Sequence, residues 1–404
     1  MKSSKKSKTK AIEELLARGV TEVVDRGHLK KALLSGKKLR IKLGIDPTGP
    51  KIHLGRAVVL RKLRAFQELG HHVVLIVGDF TALIGDPSDK LAKRPRLTPA
   101  QVRQNMRDYK RQLGKIVELE KAEIKYNSSW LKKLTFAEVT ELAESFSVQQ
   151  MLARRNFKER YEKGIDISLR EFLYPLMQGY DSVAVKSDLE LGGFDQLFNL
   201  MAGRAIQRYY GEKEQDILTC EMLEGTDGRK MSTSWGNVIN ISDEPGEMFG
   251  KLMSVRDELI FKYLRLTTDM PEEEVGALEK GVKNKKANPR DAKLVLAREV
   301  VSLYHGKSAA ARAEKEFQSV FQKKELPTEI KTVYVANAKL SVADLLIVSG
   351  LAKSKSEAFR LVTQGGVKIG GEKAADPRAS IDLSAAKEVI LQSGKRHFVK
   401  VRKK

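Results

Sequence analysis

The sequence predicts an α/β protein built on a doubly wound parallel sheet, followed by a helical region and a small α+β unit. Three observations carry this expectation. Residues 39–45 read as a short strand, and the breaker cluster Asp46-Pro47-Thr48-Gly49-Pro50 forces a loop after it. From Leu54 onward, apolar residues at Leu54, Ala57, Val58, Leu60, Leu63 and Phe66 recur at near-helical spacing until Gly70. Residues 73–77 are then an unbroken apolar run, the pattern of a strand covered on both faces. Strand, helix and strand in this order form a crossover unit. His53 and Gly55 fall at its helix N-terminus, where unpaired N–H groups and the helix dipole attract anions. Gly55 leaves no side chain between that backbone and a ligand, so a phosphate-bearing molecule is the natural guest.

At 404 residues the chain has room for two or three domains. Its formal net charge of +22 suggests a polyanionic partner, most simply nucleic acid, with a generally Lys-rich proteome as the alternative. Cys220 is the single cysteine, which excludes intrachain disulfides and a cysteine zinc cluster and fits a reducing cytoplasm. No apolar run approaches membrane-spanning length. Residues 1–10, MKSSKKSKTK, are basic with no apolar stretch behind them; a disordered tail is expected there rather than a secretory signal.

Residues 11–36 read as helical. After Val77 come Gly78-Asp79-Phe80-Thr81 and Gly85-Asp86-Pro87; a strand end followed by such a loop is where open α/β sheets hold ligands. Residues 88–98 carry Lys90, Lys93, Arg94 and Arg96 without periodicity, either a loop that closes over phosphates or an ordinary solvated one. Residues 99–120 read as helical and 125–130 as a strand and turn. In a helix over 168–181, Tyr174, Gln178 and Asp181 fall on one face. That polar stripe is either a water-facing side or a binding face, and taken alone the solvent face is the simpler reading.

Gly192-Gly193 before Asp195-Gln196 permits close backbone approach, with an acid and an amide to hold ribose hydroxyls or an amino acid's polar ends; a capped tight turn is the plain alternative. Residues 217–220 are a strand, and 224–237 a Gly- and Ser-rich loop around Lys230. Helices dominate 245–322, and Pro327 with loss of periodicity over 325–337 marks a linker. Residues 338–404 form a separate unit: a helix over 340–348, a capping box at Ser354 and Glu357, then a strand and turn at 367–371. From Lys339 onward there are fourteen Lys and Arg against six Asp and Glu, which favours an RNA-backbone-binding module over a merely soluble tail.

Together these stretches resemble a known family. His53-Leu54-Gly55-Arg56 resembles the HIGH signature of class I aminoacyl-tRNA synthetases, and Lys230-Met231-Ser232-Thr233-Ser234 their KMSKS loop. With Gly44-Ile45-Asp46-Pro47-Thr48, Gly85-Asp86-Pro87-Ser88, Tyr174…Gln178…Asp181 and Gly192-Gly193-Phe194-Asp195-Gln196 in this order, the pattern is similar to bacterial-type tyrosyl-tRNA synthetases over about residues 11–400. Residues 338–398 resemble the S4-like RNA-binding domain that ends many of them. The resemblance implies a Rossmann-like, HUP-type catalytic domain over 11–244, an anticodon-binding helical domain over 245–324, a linker over 325–337 and an S4-like domain over 338–404. It implies a tyrosine–tRNA ligase using ATP with Mg²⁺ as a substrate complex and no permanently bound metal. It further implies tRNA(Tyr) as partner, a homodimer, a cytoplasmic location and no membrane.

Position by position, the resemblance assigns Thr48, His53 and Lys230 to the departing pyrophosphate, as the catalytic group. It assigns Asp46, Gly55, Arg56, Gly193, Asp195, Lys230, Met231, Ser232, Thr233 and Ser234 to ATP. Thr81, Asp86, Tyr174, Gln178, Asp181 and Gln196 surround tyrosine, with Asp181 taking the phenol hydroxyl. Lys353, Lys355, Arg360 and Lys368 are the expected RNA contacts. The chemistry agrees: the attacking carboxylate belongs to the substrate, so the protein supplies alignment and positive potential rather than a nucleophile. Four positions depart from the pattern. Arg56 replaces the second His of HIGH, Thr233 the second Lys of KMSKS, Phe194 a small polar residue, and Lys42 a tyrosine of some relatives. The alternatives are a catalytically impaired paralogue that acts as an RNA-binding protein and a tryptophan-specific relative, against which Asp181 argues.

Overall fold

The structure is a computed structural model that describes residues 2–88, 97–232, 235–322, 330–384, 388–394 and 397–404. The basic loop residues Lys90, Lys93, Arg94 and Arg96, and Thr233 and Ser234 of the Lys230 loop, lie outside the described residues. The chain divides into two units. One comprises Met1–Asp243 and Lys251–Tyr304, the other Glu244–Gly250 and His305–Lys404.

The first unit is organised by a six-stranded sheet of β1 (Val20–Val24), β2 (Arg40–Ile45), β3 (His72–Val77), β4 (Ala122–Tyr126), β5 (Leu189–Gly193) and β6 (Asp216–Cys220). Their spatial order is β1-β6-β5-β2-β3-β4. All neighbouring pairs are parallel except edge strand β1, which runs antiparallel to β6. From β2 the chain winds outward through β3 and β4, then returns to place β5 on the other side of β2. The order therefore reverses between β2 and β5, and a doubly wound sheet opens its ligand crevice at that point. The expected strand–helix–strand unit is present as β2, helix Leu54–Glu68 and β3. Leu54, Ala57, Leu60, Leu63 and Phe66 of that helix are fully enclosed against the sheet.

Several local expectations change. Residues 11–36 are not one helical stretch: β1 separates helix Lys2–Leu15 from helix Arg26–Leu34. Val20-Thr21-Glu22-Val23-Val24 becomes a strand by pairing with β6, a partner nearly 200 residues away that local periodicity does not reveal. Helix Lys2–Leu15 also carries the basic start of the chain, where a disordered tail was expected. The 99–120 stretch is broken into Pro99–Met106 and Tyr109–Leu113.

The helices after Glu244 do not form a unit of their own. Arg61 pairs with Asp269 at 2.5 Å, and Arg18 donates to the carbonyls of Arg265 and Thr268, tying helix Ile260–Thr267 to the sheet unit. Helix Lys307–Gln322 belongs to the second unit. Within 325–337, expected as linker, Lys331–Val335 forms a strand paired in parallel with His397–Lys403. Register pairs Val333 with Val401, so a segment without helical periodicity became a strand by covering one. The five-stranded sheet of this unit packs Val335, Leu345, Leu383, Leu391, Val399 and Val401 into one cluster. Ser354 accepts from the Glu357 N–H as expected, while the Glu357 carboxylate reaches the Lys353 N–H rather than that of Ser354. No helix among the described residues is long and apolar enough to cross a membrane.

Candidate active site

The ends of β2, β3, β5 and β6 surround one cavity of about 270 Å³. It is lined by every residue expected at the ATP and tyrosine subsites except Ser232 and the two outside the described residues. The His53 and Lys230 motifs meet there through the backbone. Leu54 N–H donates to Ile239 O at 2.8 Å and Ile241 N–H to Ile52 O at 2.9 Å, so residues 239–241 run beside 52–54 as a short ladder. Upstream, Gly225 N–H donates to Arg229 O at 2.7 Å, which folds the loop back on itself before Lys230. The Gly55 N–H then faces Met231 Sδ at 3.4 Å. A Cβ at Gly55 would stand 3.1 Å from His53 Nδ1 and 3.4 Å from Met231 Sδ, so a side chain there would push the imidazole aside by a few tenths of an ångström.

The end of the cavity near His53 and Lys230 is rich in donors. His53 Nδ1 is buried with no hydrogen-bond partner, an orphaned polar atom. Burial, reinforced by Arg56 and Lys230, holds its imidazole down to about 3, so it is neutral at physiological pH. Arg56 donates to Tyr109 Oη at 2.7 Å, Thr48 Oγ1 at 2.7 Å and Asp46 O at 3.3 Å. The longer side chain is therefore anchored on the loop after β2 and on helix Tyr109–Leu113, and it does not block the cavity. Lys230 Nζ contacts Asp195 Oδ2. Ser232 lies behind the lining, its N–H bonded to Asn237 Oδ1. Phe194 is 45% exposed and does not line the cavity.

The opposite end is an enclosed polar pocket. Tyr174 and Asp181 are buried, so the stripe on helix Leu169–Ala184 is an inward face, not the solvent face that its spacing alone favours. Asp46 accepts from Thr81 Oγ1 at 2.7 Å and Tyr174 Oη at 2.9 Å, which groups it with those residues rather than with His53 and Lys230. Burial pushes its carboxyl up to about 6, against the pull of those two donors. Asp86 accepts from Ser88 and Asn199 on one oxygen and from Gln196 Nε2 on the other. Asp181 accepts from Trp130 Nε1 at 2.8 Å and Asn127 Nδ2 at 3.3 Å, and burial pushes it up to about 7.

Sequence reading missed Asn127 and Trp130, taking 125–130 only as a strand and turn. The available signal was positional: both follow the end of a parallel strand, where side chains meet the crevice. It also missed Glu221, Met222 and Leu223, which line the cavity just beyond β6. The expected RNA contacts lie in the second unit. Lys353 precedes helix Lys355–Thr363, which carries Lys355 and Arg360, and Lys368 is on strand Val367–Ile369; all four are exposed.

The chain is similar to known proteins. Residues 34–322 match the family model described as tRNA synthetases class I (W and Y), and residues 321–401 match the tyrosine--tRNA ligase SYY-like C-terminal domain. The chain belongs to the class I tRNA synthetases of this group. The tyrosine--tRNA ligase of Thermotoga maritima is 49% identical over 389 residues, 96% of this chain and 96% of that one. That of Moorella thermoacetica is 47% identical over 392 residues, 96% of this chain and 94% of that one. Within the group, the chain is therefore a member of the tyrosine--tRNA ligase family. Among solved structures, a C-terminally truncated mitochondrial tyrosyl-tRNA synthetase from Coccidioides posadasii superposes with a TM-score of 0.61 at 26% identity, covering 78% of this chain and 95% of that one. The corresponding Aspergillus nidulans protein, with a TM-score of 0.63 at 23% identity over 80% of this chain and 100% of that one, shares the fold.

Proposed function

We propose that this chain is a tyrosine–tRNA ligase: it activates L-tyrosine with ATP and transfers the tyrosyl group to the 3′ end of tRNA(Tyr). The observation that carries the reading is a cavity with a neutral imidazole and an ammonium at one end and a buried, donor-tethered carboxylate at the other. In the first step the tyrosine carboxylate attacks the α-phosphorus of ATP, the bond to the bridging oxygen breaks, and pyrophosphate leaves. In the second, a terminal ribose hydroxyl of the tRNA attacks the acyl carbon and AMP leaves.

No protein nucleophile is needed, so each side chain acts by binding and orientation. His53 and Thr48 offer uncharged donors and Lys230 a cation to the β- and γ-phosphates, where charge accumulates as pyrophosphate departs. Mg²⁺ arrives with ATP as part of the substrate. Asp195 and the Gly193 backbone receive the ribose, and Gly55 and Met231 flank the nucleotide. Asp86, Thr81, Tyr174 and Gln178 surround the ammonium and ring of tyrosine, with Asp46 beside them and Gln196 toward the carboxylate. Asp181 accepts the phenol hydroxyl. Phenylalanine would deny that buried carboxylate the phenol's donor and leave it only Trp130 and Asn127, a selectivity for which tyrosyl-tRNA synthetases are themselves the standard illustration.

The exposed cations Lys353, Lys355, Arg360 and Lys368 fit phosphate-backbone contacts to tRNA. A homodimer in the cytoplasm is the assembly and place we infer. Large apolar side chains left exposed at Phe136, Val148, Tyr161 and Leu169 support self-association. The deciding experiment is tyrosine-dependent ATP–pyrophosphate exchange, followed by charging of tRNA(Tyr). Exchange that requires tyrosine, and not tryptophan or phenylalanine, is expected; its absence in folded protein would refute the assignment.

A further inference from the structure

Lys42 and Glu190 form an ion pair at 2.9 Å with both side chains wholly out of solvent. Neither lines the cavity, although Leu43 and Gly44, next to Lys42 on β2, and Leu191 and Gly192, next to Glu190 on β5, do. The pair thus lies behind the cavity floor, where the strand order reverses. Its polar atoms are well used. Lys42 Nζ also donates to Gln178 O at 2.8 Å and Ser182 Oγ at 2.8 Å. Glu190 Oε1 accepts from Gln178 Nε2 at 3.2 Å, while Oε2 accepts from Ser182 Oγ at 3.2 Å and Gln215 Nε2 at 2.5 Å. Gly203 leaves the space for this: a Cβ there would stand 2.3 Å from Gln215 Nε2, 2.8 Å from Ser182 Oγ and 3.1 Å from Glu190 Oε2.

A buried ion pair is a poor device for stability, because desolvation offsets most of its attraction and apolar residues of similar volume usually do as well. Apart from Gln215, the contacts of this one fall on a single helical turn, from Gln178 to Ser182, which also carries Asp181. Among the described residues Asp181 forms no ion pair; its carboxylate has only the Trp130 and Asn127 donors. The charged groups that act on it are Lys42 from β2, which favours its ionised form, and Glu190 from β5, which opposes it. Tyr174 on the same helix is a neutral phenol, held so by burial and by Asp46, Asp86 and Asp181.

We propose that the buried Lys42–Glu190 pair is a positioning device for the tyrosine subsite: from outside the cavity it fixes Gln178 and supplies the cation that keeps Asp181 an acceptor for the phenol hydroxyl, and so sets selection of tyrosine over phenylalanine. Neither residue touches substrate. Glu190 has two functions, orienting Lys42 and Gln178 while limiting how strongly Lys42 acts on Asp181. The inference rests on Asp181 being the phenol partner.

The test is the pH profile of kcat/KM for tyrosine in pyrophosphate exchange, measured for the wild-type chain, Lys42→Met, Glu190→Gln and Asp181→Asn, with phenylalanine as competing substrate. In Lys42→Met the acid limb moves to higher pH by about one unit, which lowers kcat/KM for tyrosine about tenfold on that limb. The loss falls on KM, and the tyrosine-to-phenylalanine ratio at neutral pH drops by a similar factor and recovers in alkali. In Glu190→Gln the limb moves the opposite way, on top of a pH-independent rise in KM from the released Gln178. Limbs coinciding with wild type in both folded variants, or an unchanged tyrosine-to-phenylalanine ratio, would overturn the proposal. If Lys42→Met does not fold, the direction of the Glu190→Gln shift decides alone. Wild-type protein without tyrosine-dependent exchange, or an Asp181→Asn variant that still discriminates, would instead bring down the reading of Asp181 on which the proposal stands.

Discussion

Lys230 Nζ lies 3.2 Å from Asp195 Oδ2, so the cation of the Lys230 loop rests on the carboxylate that follows the Gly192-Gly193 turn. In the proposed mechanism both groups exchange partners when nucleotide enters: the ammonium moves to phosphate and the carboxylate to ribose. Lys230→Met is expected to lower kcat for adenylate formation by about 10²–10³, the loss typical of one transition-state donor. Asp195→Asn should act mainly on KM for ATP. Single-turnover formation of tyrosyl-adenylate at varied ATP separates the two effects.

Arg56 is expected to be structural support for Thr48 rather than an obstruction. Arg56→His removes donors to Tyr109 Oη, Thr48 Oγ1 and Asp46 O. We expect kcat/KM for ATP to fall about tenfold, equivalent to about 1.4 kcal/mol, even though the change restores the usual signature. Tyr109→Phe should cost about 1 kcal/mol in urea denaturation with a smaller kinetic effect. Faster exchange in Arg56→His than in wild type would contradict this account.

His53 and Asp46 contribute to the pH dependence of stability with opposite sign, and Asp181, also raised, adds to the Asp46 side. His53 is held down to about 3 from 6.5, so its contribution is fully present above about pH 6.5 and is lost as pH falls toward 3. Asp46 is raised from 3.8 to about 6, so its contribution is present below 3.8 and lost as pH rises through 6. Between pH 6.5 and 5, wild type should therefore lose stability relative to His53→Gln by up to about 1.4 kcal/mol per unit. Relative to Asp46→Asn it should gain over the same fall in pH. Paired urea titrations at several pH values measure both differences.

Replacing Lys353, Lys355, Arg360 and Lys368 by Gln should weaken tRNA binding while leaving tyrosine-dependent pyrophosphate exchange intact. If each contacts one phosphate, the slope of log K against log salt falls by about 1 per residue. Filter binding across a salt series checks it; an unchanged slope would place the tRNA elsewhere.

Much of this site was legible in the sequence because its backbone parts are local. The strand, the breaker loop and the apolar spacing from Leu54 define β2, the His53 turn and the following helix without reference to anything distant. The loop around Lys230 was recognisable by composition, but its approach to His53 was not, since that depends on a ladder between residues 52–54 and 239–241. Helical spacing placed Tyr174, Gln178 and Asp181 on one face and could not say which way that face points; the packing of the helix against the sheet decides it. Asn127, Trp130 and the Lys42–Glu190 pair escaped for the same reason, as each gains its role from elements brought together only by the doubly wound topology. Edge strand β1 escaped because its partner, β6, comes nearly 200 residues later in the chain.

The chain has only two tryptophans. Trp130 donates to Asp181 beside the cavity, and Trp235 lies under the Arg229 guanidinium on the loop that carries Lys230. Under the proposed function each indole is expected to report on a different substrate. Emission from a Trp235→Phe variant follows the amino acid docking, emission from Trp130→Phe follows the loop as nucleotide arrives, and the order of the two events becomes readable in a stopped-flow trace without any added dye.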